Sequence, residues 1–205
     1  MLTTQYKTQL SLLAAGPARW LIALKVSPDA LTWLGVIGAA LSCAYYLRIN
    51  RNTLLFCGLI LLCGFCDAMD GAVARLSGRT TRWGSYLDAM SDRVSEAMVA
   101  LTVAWVTGYW FLSSLVLVGA LLVSYAKARA GMEVAVSNTE WPDVCERAER
   151  GLVFLAGLAL SAIIPRRWGG HDLFWWSLVA LAVAVYVTLL QRMWRARRFI
   201  STRNA

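Results

Sequence analysis

The sequence predicts an all-α, polytopic membrane protein: six transmembrane helices with an N-terminal amphipathic juxtamembrane helix. Three observations carry that expectation. Of 205 residues, 59% are hydrophobic and the mean hydropathy is +0.55, far too apolar for a soluble domain of this size. The apolar residues fall into six runs, each close to the ~20 residues a helix needs to cross a bilayer. The basic residues, which give a net charge of +8, gather at the ends of those runs, as expected beside anionic headgroups, so the charge does not point to nucleic acid.

Residues 1–26 form the juxtamembrane segment and 27–205 the membrane domain. In the first, Lys7, Arg19 and Lys25 interleave with Leu10, Leu12, Leu13, Trp20, Leu21 and Leu24, a pattern for a helix lying in the interface. Pro17 and Arg19 interrupt the apolar stretch, so no cleavable signal pattern is expected. Ser27-Pro28-Asp29 reads as a helix start, with Ser27 capping and Pro28 first. The first span runs over 30–47, with Gly35 and Gly38 as a surface for close packing. The second covers 53–65 and continues to Leu76, and a polar loop follows over 77–82. The third runs over 84–107 and the fourth over 110–125, ending in Lys127 and Arg129. A polar loop containing Pro142 covers 131–147, the fifth span 151–164, a turn 165–172, and the sixth span 173–190 before a basic tail.

Six spans put both termini on one side. Three Lys or Arg at the N-terminus, four over 75–93, four over 127–150 and five in the tail share that side. The other side has only Arg48, Arg51, Arg166 and Arg167, so the termini and the 67–92 region face the cytoplasm of a multi-pass cell-membrane protein. Tryptophans near span ends, such as Trp20, Trp110, Trp168 and Trp194, are interfacial anchors. Cys63-x2-Cys66 has redox or zinc spacing but no second pair or histidine cluster, which favours core packing, and the lone His171 sits in a short loop.

Between the second and third runs lies a cluster of charge. Asp67-Ala-Met-Asp70-Gly71-Ala-Val-Ala74-Arg75 is followed, eight residues on, by Gly84-Ser-Tyr-Leu-Asp88-Ala-Met-Ser-Asp92. Spacings of three and four put each aspartate pair on one helix face. Carboxylates at the edge of a span are costly unless paired, hydrated or coordinating a cation, and four facing one another repel. A divalent metal is the simplest explanation, and oxygen ligands select Mg²⁺ or Mn²⁺ over zinc. Two ions would neutralise the four and grip a diphosphate. Gly71 and Gly84 leave room for a ligand, and Arg75 suits phosphate oxygens. Salt bridging to Arg75, Arg79, Arg82 and Arg93 would explain neither the glycines nor the spacing.

The pattern D-x2-D-G-x2-A-R-x8-G-x3-D-x3-D is matched at all eight defined positions, and the chain resembles the CDP-alcohol phosphotransferases (CDP-alcohol phosphatidyltransferases). The resemblance implies transfer of a substituted phosphate from a CDP-linked lipid donor to an acceptor hydroxyl, releasing CMP. It implies Asp67, Asp70 and Asp88 as metal ligands and Asp92 as the general base, itself able to touch a metal. Gly71, Ala74, Arg75, Gly84 and Ser85 would line the cytidine diphosphate pocket, with Asp29 and Thr32 reaching toward the nucleotide. A homodimer in the lipid bilayer is what the family suggests.

Lys127, Arg129, Arg147 and Arg150 form a basic set suited to a polar phosphorylated alcohol acceptor, whose dianion needs several donors. Ser124-Tyr-Ala-Lys127-Ala-Arg129-Ala and Glu146-Arg147-Ala-Glu149-Arg150 resemble the phosphatidylinositol-phosphate and archaetidylinositol-phosphate synthase branch, although Gly131 stands where that branch has Glu and Ala148 where it has Pro. The expected acceptor is therefore an inositol phosphate. Within the same family, glycerol phosphate, serine or another alcohol is the alternative. A cation-coupled transporter is disfavoured, since the acidic residues sit at a span boundary and no inverted repeat is evident.

Overall fold

A computed structural model describes residues 16–133 and 146–203. Its regular elements are all helical: α1 (Pro28–Arg48), α2 (Thr53–Leu76), α3 (Arg82–Thr107), α4 (Trp110–Glu133), α5 (Arg147–Ile163) and α6 (Leu173–Arg203). A shorter helical stretch covers 16–23. The remainder of the expected juxtamembrane helix, 1–15, and the loop with Pro142, over 134–145, lie outside the described residues.

Side-chain oxygens set most of the helix starts, because the first amides of a helix have no partner within it. Ala30 N–H donates to Ser27 Oγ at 3.2 Å, ahead of which Pro28 needs no partner. Leu55 N–H donates to Asn52 Oδ1 at 3.0 Å, Gly84 N–H to Thr81 Oγ1 at 2.9 Å and Trp175 N–H to Asp172 Oδ1 at 2.8 Å. At α5, Glu149 reaches back to accept from Glu146 N–H at 3.0 Å. The turn before α6 is a small hairpin in which Trp168 and His171 exchange two backbone bonds across Gly169 and Gly170, both at positive φ. His171 stacks on Trp175, with ring centroids 4.0 Å apart.

Three helices outrun the expected spans. Capped by Thr81, α3 starts two residues before Gly84, α4 continues past Tyr125 to Glu133, and α6 continues past Leu190 to Arg203. Residues 126–131 are alanine, lysine, arginine and one glycine, mostly strong helix formers, so the helix persists where apolarity stops. Lys127 and Arg129 thus sit within α4, and residues 131–133 belong to a helix instead of a loop. Among the described residues, four helices are long and apolar enough to cross a membrane: α1, α2, α4 and α6 over Leu173–Ser201. The others fall short for visible reasons. α3 carries Asp88, Asp92, Arg93 and Glu96 within its first fifteen residues, and α5 has 17 residues.

By packing, the described residues divide into two compact units, one up to Thr102 and one from Val103 onward. In the first, α1 and α2 form a hairpin. Tyr46 stacks on Phe56 with centroids 4.3 Å apart, and its hydroxyl lies 3.0 Å from Thr53 Oγ1. At the other end, Gly35 faces the backbone of Cys63 and Asp67, while Gly38 faces the Cys63 sulfur, so the helices approach closely. Below them Ala18, Leu31, Met69, Ala72 and Val73 form a small core, covered by Leu21, Ile22 and Val26. It fastens the 16–23 stretch beside the aspartate-bearing end of α2.

In the second unit α6 packs on both α4 and α5. Gly119 admits Val185 and Tyr186, Gly157 admits Ser177, and Phe154 meets Phe174 edge-on at 5.2 Å. A Cβ on Gly157 would fall 2.6 Å from the Ser177 Cβ, whereas one on Gly151 would meet open space. Gly157→Ala is therefore expected to destabilise the protein by about 1–3 kcal/mol. Thermal melting in detergent checks it: Gly157→Ala should melt several degrees below wild type and Gly151→Ala no lower than wild type.

Candidate active site

The carboxylates come from two helices joined by a five-residue turn. Asp67 and Asp70 share a face at the end of α2, and Asp88 stands on the second turn of α3, whose start Thr81 fixes. One ligand oxygen from each of the three lies within 4.8 Å of the other two. Asp70 is buried at 5% exposure, Asp67 is half-buried and Asp88 exposed, so the group opens outward from Asp70. The Thr32 hydroxyl of α1 donates to Asp70 Oδ2. Three acidic oxygens this close repel in the absence of a cation, and hard oxygen donors at such spacing fit a divalent ion.

Around them the structure gathers several of the expected residues. A Cβ on Gly84 would come 3.1 Å from Thr81 Oγ1 and 3.4 Å from Asp29 Oδ1, so Asp29 reaches the start of α3. A Cβ on Gly71 would come 3.1 Å from Arg75 Nη1, which places that guanidinium back over Gly71 on the exposed side of α2. Ala74 is half-buried, and Ser85 is exposed on the first turn of α3. Asp92, one turn beyond Asp88, is buried at 8% exposure and stands outside the group of three. Arg93 lies 3.9 Å from Asp92 and pairs with Glu96 at 3.2 Å, carrying charge a further turn into α3.

The basic set lies in the second unit. Lys127 and Arg147 are half-buried, and Arg129 is exposed and pairs with Glu133 at 2.7 Å. Arg150 is buried at 5% exposure, on the first turn of α5. Two residues were not singled out from the sequence. Thr81 is the cap that sets the rotation of α3, and its signal was a threonine just ahead of a helix. Arg192, the first basic residue after the last apolar run, is buried and donates to the Val123 carbonyl of α4. Sequence position alone had placed it with the solvated tail. Cys63 and Cys66 are half-buried along α2.

The sequence profile of CDP-alcohol phosphatidyltransferase matches residues 25–190. The chain belongs to this family. Relatives agree with that assignment along most of their length. An archaetidylinositol phosphate synthase of Pyrococcus horikoshii is 33% identical over 182 residues, covering 87% of each chain. A phosphatidylinositol phosphate synthase of Mycobacteroides abscessus is 34% identical, covering 83% of this chain and 77% of its own. Among solved structures, the Mycobacterium tuberculosis phosphatidylinositol phosphate synthase with CDP-DAG bound superposes with a TM-score of 0.76 at 26% identity, covering 89% of this chain and 92% of that one. The same enzyme in complex with manganese and citrate gives 0.73 at 27% identity, covering 89% and 88%. As a CDP-alcohol phosphatidyltransferase with four long apolar helices, the protein is a multi-pass membrane transferase.

Proposed function

We propose that this CDP-alcohol phosphatidyltransferase moves a phosphatidyl-type group from a CDP-linked lipid to a hydroxyl of an inositol phosphate, releasing CMP in phospholipid synthesis. The observation that carries the choice of a phosphorylated acceptor is Arg150. Its guanidinium is buried on the first turn of α5, three positions after Arg147, the first residue of that helix. Cations are disfavoured at a helix N-terminus, where amide dipoles already present positive charge. Glu146 and Glu149 at the same helix start offset part of that charge, and a bound dianion would offset the rest. A phosphorylated acceptor is such an anion, and serine or free inositol is not. The relatives named above as inositol phosphate lipid synthases support the same choice.

Asp67, Asp70 and Asp88 would hold Mg²⁺ or Mn²⁺, with Asp92 contributing to a second ion. When bound, the metal neutralises charge on the diphosphate and on the departing CMP. Asp29, Thr32, Gly71, Ala74, Arg75, Gly84 and Ser85 line the cytidine diphosphate pocket, with the two glycines leaving room for the ligand and Arg75 bonding phosphate oxygens. Lys127, Arg129, Arg147 and Arg150 hold the acceptor phosphate. Asp92 takes the proton of the acceptor hydroxyl as its oxygen bonds to the lipid-side phosphorus. The bond from that phosphorus to the bridging oxygen breaks, and CMP leaves with the oxygen.

Residues 1–26 act as a juxtamembrane segment of one membrane domain over 27–205. In this reading α3 and α5 cross the bilayer beside the four longer helices, which puts both termini and the site on the cytoplasmic side of the cell membrane, in a homodimer. An acceptor screen tests the activity. Purified protein in detergent, supplied with CDP-diacylglycerol and Mg²⁺, should release CMP with inositol phosphate and not with glycerol phosphate, serine or inositol, Asp92→Asn serving as blank. Turnover with glycerol phosphate instead would keep the transferase and overturn the acceptor.

A further inference from the structure

Thr32 and Asp70 are 38 positions apart in sequence, yet both are buried and joined directly. Thr32 is 4% exposed at the start of the second turn of α1. Its hydroxyl donates to Asp70 Oδ2, and its other oxygen neighbour is the Pro28 carbonyl, 3.3 Å away in its own helix. One proton cannot serve both acceptors fully, and a carboxylate accepts more strongly than a neutral carbonyl. The carboxylate is therefore the proton's destination. Of the three clustered aspartates Asp70 is the most buried, so its rotamer has the least help from solvent.

We propose that Thr32 is a positioning residue for the metal site: its hydroxyl fixes the Asp70 carboxylate so that the other oxygen faces Asp67 and Asp88. This rests on the metal reading of the three carboxylates. Outer hydrogen bonds of this kind orient a ligand and raise its occupancy by the metal. The small core beneath supports the same geometry, since Leu31 and Met69, the neighbours of Thr32 and Asp70 in sequence, pack together there. The hydroxyl thus acts on Asp70, while the methyl and backbone of Thr32 remain available to shape the nucleotide pocket.

The test is Mn²⁺ titration of the detergent-solubilised protein, following the electron paramagnetic resonance of unbound Mn²⁺. Wild type should bind, and Asp70→Asn should lose binding. Thr32→Val, which keeps shape and removes the hydroxyl, should weaken Mn²⁺ affinity by about tenfold. Thr32→Ser, which restores the donor, should return it to within about threefold of wild type. The titration is run without lipid substrate, so that any contact of Thr32 with nucleotide does not enter the readout. Wild-type affinity in Thr32→Val would overturn the proposal and leave the metal site standing. Equal loss in the valine and serine variants would overturn it too, since the hydroxyl would then not be the cause. No Mn²⁺ binding by wild type would overturn the metal reading itself.

Discussion

Asp70→Asn should lower CMP release by about a thousandfold while making the metal-free protein more stable. The loss follows from the several kcal/mol that a metal contributes to charge stabilisation at a transferring phosphoryl group, each 1.36 kcal/mol being tenfold in rate. The gain follows from the same geometry. Three carboxylates with oxygens within 4.8 Å repel, and Asp70 is the one least reached by water. An asparagine keeps the shape and an oxygen for Thr32 while removing one of the repelling charges. Melting curves with and without Mn²⁺ check both signs: the ion should raise the melting temperature of wild type and leave that of Asp70→Asn where it is. An active Asp70→Asn protein that still responded to Mn²⁺ would remove Asp70 from the metal site.

Arg150→Ala should reduce kcat/KM for inositol phosphate by about a hundredfold, with the affinity for CDP-diacylglycerol unaltered. Truncating one partner of a buried, hydrogen-bonded charge pair costs about 2–5 kcal/mol, and the lower end already supplies most of that factor. Arg150→Lys should recover only part, since an ammonium cannot offer the paired donors of a guanidinium. Steady-state kinetics with each substrate varied separately decides it. A uniform loss against both substrates would make Arg150 a packing residue of α5.

What was legible in the sequence is what membranes make expensive. Asp67, Asp70, Asp88 and Asp92 stood out because charge beside apolar runs demands a reason, and the glycines stood out because nothing else fits beside a close neighbour. Ser27 and Pro28 marked the start of α1 by local chemistry alone. The far end of α4 was hidden for an equally physical reason. Hydropathy reports where lipid ends, and the backbone bonds of 126–133 continue beyond it, carrying Lys127 and Arg129 onto a helix. Thr32 was read as part of a nucleotide pocket, and its bond to Asp70 joins positions too distant for any local pattern to reveal. Arg150 was read as a donor to the acceptor phosphate and Arg192 as part of the basic tail, and the burial of neither was foreseen, because burial is decided by the helices packed around them.

The charges on α3 do not stop at the edge of the carboxylate group. Asp88, Asp92, Arg93 and Glu96 follow one another down the helix, and Glu96 lies fourteen residues after Arg82, roughly 21 Å along the axis. Charges that far into a spanning helix pair with one another or face water. In the six-span reading proposed above, α3 from Asp88 to Glu96 is a wetted wall set into the hydrocarbon. A lipid can bring its headgroup to that wall while its chains stay in oil, and a sugar phosphate can meet it there without leaving water.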